Sequence, residues 1–243
     1  MADAGVLAGR QVGAGVLASL FYVPDFLSAD EEARLLAEVH SSRAKWVQLS
    51  GRRLQNHGGL VHAKGLAPAP MPRWLEGLAA RLRDAAPGLF GDGGAPNHVL
   101  INAYPPGCGI MPHQDGPLYH PAVCIVSAGA PAVLRFWRKA PEGGTGGAPP
   151  VASILALPRS LLVFRDDAYH DCLHGIEERR SRSWRTAAVQ LQRRWRRQRQ
   201  ALASSETAAA ALASSETATA AAAEARQRCR AAASAFRSRC GAC

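Results

Sequence analysis

His113-Gln-Asp115 is the segment of this chain best suited to do chemistry. In an extended backbone, residues i and i+2 project to the same side. One imidazole and one carboxylate can therefore reach a common point without further folding. A distant histidine would complete a 2-His-1-carboxylate face, which leaves positions open for a chelating cosubstrate and oxygen and suits Fe(II). His120, His170 and His174 are all available for that third place. His174 follows the apolar run Ser160-Leu-Leu-Val-Phe164 after a turn, a position from which a strand-end ligand can return to the site; His170 is the runner-up. His-x-Asp by itself is a weak signal, because a polar turn before a strand is spelled the same way. The lone Cys240-x-x-Cys243 is weaker, since zinc needs four ligands and no second pair exists.

Elements able to hold such residues are legible on both sides of the motif. Ser28-Ala-Asp-Glu31 reads as a capping box, in which hydroxyl and carboxylate satisfy free amides at a helix start, and Leu35, Leu36 and Val39 supply the apolar stripe. A second helix is predicted from about Pro72 to Asp84, with Leu75, Leu78, Ala79 and Leu82 at helical spacing and Pro72 in the first turn. From residue 97 the period changes to two. His98–Tyr104, Ala122–Ala128, Ala132–Arg138, Ala152–Leu157, Leu161–Arg165 and Arg185–Gln192 read as short strands separated by Gly- and Pro-rich loops. Two helices followed by many short strands argue for α+β, with the strands in a sandwich or barrel.

Composition bounds the rest. The 243 residues, 47% of them hydrophobic, suffice for one sizeable domain with appendages. Of the formal net charge of +10, +7 lies beyond residue 192, so the body is only mildly basic. Cysteines at 108, 124 and 172 lack disulfide spacing and favour reduced thiols in nucleus or cytoplasm. The first twenty residues, apolar but Gly-rich with one Arg, make a poor signal peptide and are expected to form a flexible N-terminus. Apolar runs of about 18 residues are lacking, so no membrane span is expected. Residues 193–243 open with Arg193-Arg-Trp-Arg-Arg-Gln-Arg199 and continue as a tandem decamer, ALASSETAAA then ALASSETATA, a basic, Ala-rich, low-complexity tail.

Four segments resemble AlkB-type Fe(II)/2-oxoglutarate dioxygenases, most of all the subgroup called AlkB homologue six. They are FYVPDFLSADEE (21–32), WVQLSGRRLQNHGG (46–59), NHVLINAYPPGCGIMPHQDGPLY (97–119) and LPRSLLVFRDDAYHDCLHGI (157–176). The resemblance implies a domain over 21–192 built as a double-stranded β-helix, or jelly roll, with two or more helices on one side. It implies Fe(II) ligation by His113, Asp115 and His174, with 2-oxoglutarate and O2 as cosubstrates. It also implies that Asn102 and Tyr104 contact 2-oxoglutarate; being two apart on a strand, they share a face, and amide and phenol can both donate to a carboxylate.

A buried cation must meet the cosubstrate's far carboxylate, and planar Arg is the suitable donor. The family pattern on the last strand is close to R-x-S-x-T-x-R. Arg185 begins the alternating run RTAAVQLQ and is the expected anchor, with Leu191 where a second Arg would stand. The alternative frame, Arg179 to Arg185, keeps both arginines but lacks the apolar content of a core strand.

The implied reaction is oxidative demethylation of nucleic acid: hydroxylation of an N-methyl carbon, release of formaldehyde, and succinate and CO2 as coproducts. Trp46 or His57 could stack on a base, and Arg52 or Arg53 could meet phosphate, in the segment that would cover the substrate. The alternatives are action on protein side chains, or a weakened nucleic-acid-binding module of the same fold. A monomer is expected.

Overall fold

The computed structural model describes residues 5–12, 16–41, 45–62 and 64–178. The expected strand at 185–192, both frames for its arginine and the basic tail lie outside the described residues.

Two antiparallel sheets carry the site. The first joins β1 (Leu20–Val23), β11 (Leu161–Arg165) and β8 (Ala122–Val126) in the order β1-β11-β8. The second runs β10-β9-β12-β7, from Ala152–Ala156, Ala132–Arg138, Cys172–Ile176 and Ile110–His113. The chain passes from one sheet to the other between β7 and β8, β8 and β9, β10 and β11, and β11 and β12. That repeated alternation, with every pairing antiparallel, is the winding of a jelly roll. The two layers meet where the Phe136 and Phe164 rings pack edge to face at 5.3 Å. A third sheet joins β2 (Val47–Gln48), β3 (Arg53–His57) and β6 (Val99–Ala103), and β4 (Gly59–His62) pairs with β5 (Gly65–Pro68) as a hairpin.

Helices cover the first sheet's outer face. α1 (Ala29–Val39) starts at the expected capping box: Ser28 Oγ accepts from the Glu31 amide, and the Ser28 amide donates to Glu31 Oε2 at 2.7 Å. α2 (Arg73–Ala85) follows Pro72, which supplies no side-chain cap. Leu35 of α1 and Leu78 and Leu82 of α2 pack with Phe21, Val23, Leu161 and Val163. Leu20, Tyr22, Leu162 and Phe164 alternate with those strand residues and face the second sheet. Covered on both sides, β1 and β11 are buried almost throughout.

The first twenty residues correct the expectation of a flexible N-terminus. Leu7, Leu17 and Leu20 are buried in the core, and Val12 and Arg10 bond through their backbones to Leu20 and Tyr22. Leu7 joins the core between sheet and helices, and with buried Leu17 and Leu20 it outweighs the glycines around them. The domain therefore begins before residue 21.

Candidate metal centre

His113 and His174 are brought together by strand pairing. His113 is the last residue of β7, and His174 lies in β12, inside the second sheet, with His113 as its register partner on one side and Phe136 on the other. Their rings are 4.4 Å apart, centre to centre. The register shifts between His174 and Ile176, where Gly175 lets the β7 backbone come close. A Cβ on Gly175 would lie 2.8 Å from the Ile110 carbonyl oxygen and 3.0 Å from the Pro112 nitrogen.

Asp115 closes the triangle from the loop after β7. Its Oδ1 is 3.8 Å from His113 Nε2 and 3.8 Å from His174 Nε2. One ligand atom from each of the three residues lies within 4.8 Å of the others, the only such metal-type group among the described residues. Ligands on a metal with bonds of about 2.1 Å stand roughly 3.0–3.4 Å apart, so modest side-chain rotation would seat an ion. Two imidazole nitrogens and one carboxylate oxygen on one side of the ion make the donor set of non-haem Fe(II) oxygenases.

The protein prepares each ligand. His113 Nδ1 is 2.8 Å from the Met111 carbonyl oxygen. A carbonyl can only accept, so Nδ1 carries the proton and the Nε2 lone pair faces the centre. His174 is buried against Phe164 and Phe136, with ring centres 4.8 and 6.2 Å away. Burial, and secondarily the neighbouring His113, push the His174 pKa down to about 3, so it is a neutral imidazole ready to ligate. Burial raises the Asp115 pKa, with His113 acting in the opposite sense.

Gln114, between the two ligands, points away and anchors the loop. Its amide donates to the carbonyls of Tyr169 (3.2 Å) and His170 (2.7 Å) and accepts from Lys139 Nζ at 3.1 Å. Tyr169 of α3 (Asp166–His170) returns a hydrogen bond of 2.7 Å from its hydroxyl to the Gly116 carbonyl. α3 is itself held to the N-terminal segment: the Ala18 amide donates to Asp167 Oδ2 at 3.2 Å, and the Ser19 hydroxyl donates to Asp167 Oδ1.

The other histidines stand elsewhere. His120 bonds the Leu89 carbonyl at 3.0 Å, and exposed His170 packs edge-on against Tyr169. Neither belongs to the His113–Asp115–His174 group. Asn102 and Tyr104 lie on and just after β6, and the Arg52 guanidinium joins them, its Nε donating to Asn102 Oδ1 at 2.8 Å. Of the remaining expected substrate residues, Trp46 and Arg53 meet each other, and His57 packs elsewhere. Arg53 lies 4.7 Å over the Trp46 ring, which also stacks on His40. His57 packs on Trp74 and bonds Gln55, and burial lowers its pKa.

Sequence reasoning passed over Gln114, Tyr169 and Tyr119. Burial, and after it the Asp115 carboxylate, raises the pKa of both phenols. The signal for Tyr169 was its place in DDAYH, just before the strand bearing His174.

No protein-family model matches the chain. It is 44% identical over 166 residues to a zebrafish (Danio rerio) protein named "Probable RNA/DNA demethylase ALKBH6", a match covering 65% of this chain and 69% of that one. It is 29% identical over 164 residues to the uncharacterized protein L905 of Acanthamoeba polyphaga mimivirus, covering 65% and 72%. An Arabidopsis thaliana protein named "Alkylated DNA repair protein ALKBH8 homolog" is 26% identical over 176 residues, covering 65% of this chain and half of that one. Among solved structures, OsALKBH1 aligns with a TM-score of 0.45 at 15% identity, covering 71% of this chain and 93% of that one. With a relative this similar over more than two thirds of its length, the chain belongs to the AlkB family and groups with ALKBH6.

Proposed function

We propose that the chain is an Fe(II)- and 2-oxoglutarate-dependent dioxygenase that oxidatively demethylates nucleic acid. The observation that carries this reading is the convergence of His113, Asp115 and His174 on one point. The name of the zebrafish relative, an RNA/DNA demethylase, supports the substrate class.

His113, Asp115 and His174 would hold the iron. Bound Fe(II) would supply the redox chemistry by which one oxygen atom of O2 enters a substrate C–H bond as hydroxyl and the other enters succinate as 2-oxoglutarate loses CO2. The residues supply position and environment. Two imidazoles and one carboxylate would hold one side of the ion and leave the other for cosubstrate and oxygen. Phe136 and Phe164 keep water from the His174 side. Asn102 of β6 and Tyr104 just after it would donate hydrogen bonds to the 2-oxoglutarate carboxylate. A hydroxylated N-methyl carbon is a hemiaminal, which loses formaldehyde unaided once released.

Purified protein supplied with Fe(II), ascorbate and 2-oxoglutarate should form succinate slowly, and His113→Ala should stop it. Formaldehyde release from pools of methylated RNA, DNA and peptide then identifies the substrate. Release from peptide alone would overturn the nucleic-acid reading. Absence of succinate from iron-loaded protein would overturn the enzymatic one.

A further inference from the structure

β3 pairs with β6 so that Leu54 faces Asn102 and Arg53 faces Ala103. One step further along this antiparallel ladder, Arg52 comes opposite Tyr104, on the same face as Asn102. The hydrogen bond from Arg52 Nε to Asn102 Oδ1, 2.8 Å long, joins them. The Arg52 charge is also felt at the Tyr104 phenol, whose pKa burial raises and Arg52 lowers. Arg52 is half-buried, and no carboxylate among the described residues pairs with it. Glu178 approaches the neighbouring Gly51 without forming an ion pair with Arg52. Between Glu38 and Glu76 the sequence contains no acidic residue.

Two consequences follow from the chemistry of these groups. An amide whose oxygen accepts from Arg52 must turn its NH2 the other way, so the Asn102 donor is fixed outward. A guanidinium committed through Nε still has its two terminal nitrogens, a fork that matches a carboxylate. Among the described residues those two nitrogens have no hydrogen-bond partner.

We propose that Arg52 serves the cosubstrate and not the nucleic-acid backbone: it positions the Asn102 amide and presents a cation to a carboxylate of 2-oxoglutarate. The proposal rests on the dioxygenase reading above. It assigns a charged partner from β3, at the opposite end of the domain sequence from the expected anchor Arg185.

The test is a calorimetric titration of 2-oxoglutarate into full-length protein loaded with Mn(II), which binds without turning over. Loss of one charge-assisted contact predicts binding weakened about ten-fold or more in Arg52→Ala. Arg52→Lys should recover part of that loss, because it keeps the charge but not the fork. Arg53→Ala, whose guanidinium lies on Trp46, should leave 2-oxoglutarate affinity unchanged. Unaltered thermal midpoints keep the comparison free of folding effects. A parallel titration with a single-stranded RNA oligonucleotide separates the roles. Should Arg52→Ala bind 2-oxoglutarate like the parent protein but RNA less tightly and with a shallower salt dependence, Arg52 is a phosphate contact and the proposal fails alone. If the parent protein binds no 2-oxoglutarate, the dioxygenase reading fails and takes this proposal with it.

Discussion

His174 faces His113 directly across the β12–β7 ladder, with their rings 4.4 Å apart. The spacing of two of the three candidate ligands is therefore set by backbone hydrogen bonds and not by loops.

The first expectation concerns the ligands. Asp115→Asn should weaken Fe(II) or Co(II) binding at least about 100-fold, since an amide is a poor substitute for a carboxylate in the donor set. The same change should stabilise the metal-free protein, because it removes a charge whose burial is unfavourable. Metal titration and thermal unfolding of the apo form check the two arms. A destabilised apo variant would contradict the account of Asp115.

Acid should destabilise the metal-free protein over a defined window. Folded His174 has a pKa of about 3, against an ordinary value of 6.5 once unfolded. Below pH 6.5 the unfolded chain takes up a proton that the folded one refuses, so stability is full above that pH and falls as pH drops toward 3. From pH 7.5 to pH 5 the loss should be about 2 kcal/mol. Raised Asp115 works oppositely, favouring the folded state as pH falls through its own titration. Urea unfolding at several pH values, repeated on His174→Phe, isolates the histidine's share.

Gly175→Ala tests the close approach of β7. A methyl group there meets the Ile110 carbonyl oxygen and the Pro112 nitrogen, both backbone atoms that cannot rotate away. β7 must shift, moving His113 from His174, and metal affinity should fall about ten-fold or more. Equal affinity in parent and variant would show that the ladder does not control the spacing.

Tyr169→Phe removes the hydrogen bond to the Gly116 carbonyl while keeping the ring. The expected cost is about 1 kcal/mol of stability, with a several-fold loss of metal affinity because the Asp115 loop loses a tether. Thermal unfolding combined with metal titration distinguishes loosened loop from damaged core.

Leu17→Ala should cost about 2–5 kcal/mol, as befits a leucine with no exposed surface. An effect below about 0.5 kcal/mol would restore the view of the first twenty residues as an appendage.

How much of this was legible beforehand varied with the physics of each element. Ala132–Arg138 and Leu161–Arg165 have the bounds expected of them because Pro131 and Pro141 flank the first run, while Pro158 precedes the second and the charged pair Asp166-Asp167 ends it. The strands that carry both histidines were not foreseen. β7 contains Pro112, which argues against a strand except at an edge, and β7 is an edge strand of its sheet. β12 contains a glycine beside a histidine and has almost no exposed residue, so it shows no period-two alternation. The triad was named from the His-x-Asp spacing and from family likeness, and the structure gathers those three residues. The role of Arg52 was not legible, because its contact with Asn102 depends on the β3–β6 register, fifty residues apart in sequence.

Asp167 ties the amide of Ala18 and the hydroxyl of Ser19 to the short helix whose Tyr169 and Gln114 contacts steady the Asp115 loop. The chain's opening stretch is thus the outer end of a mechanical linkage that reaches the proposed iron ligands. A protease clip near residue 18, far from any ligand in sequence, would slacken that linkage and be read out as lost metal before the sandwich itself came apart.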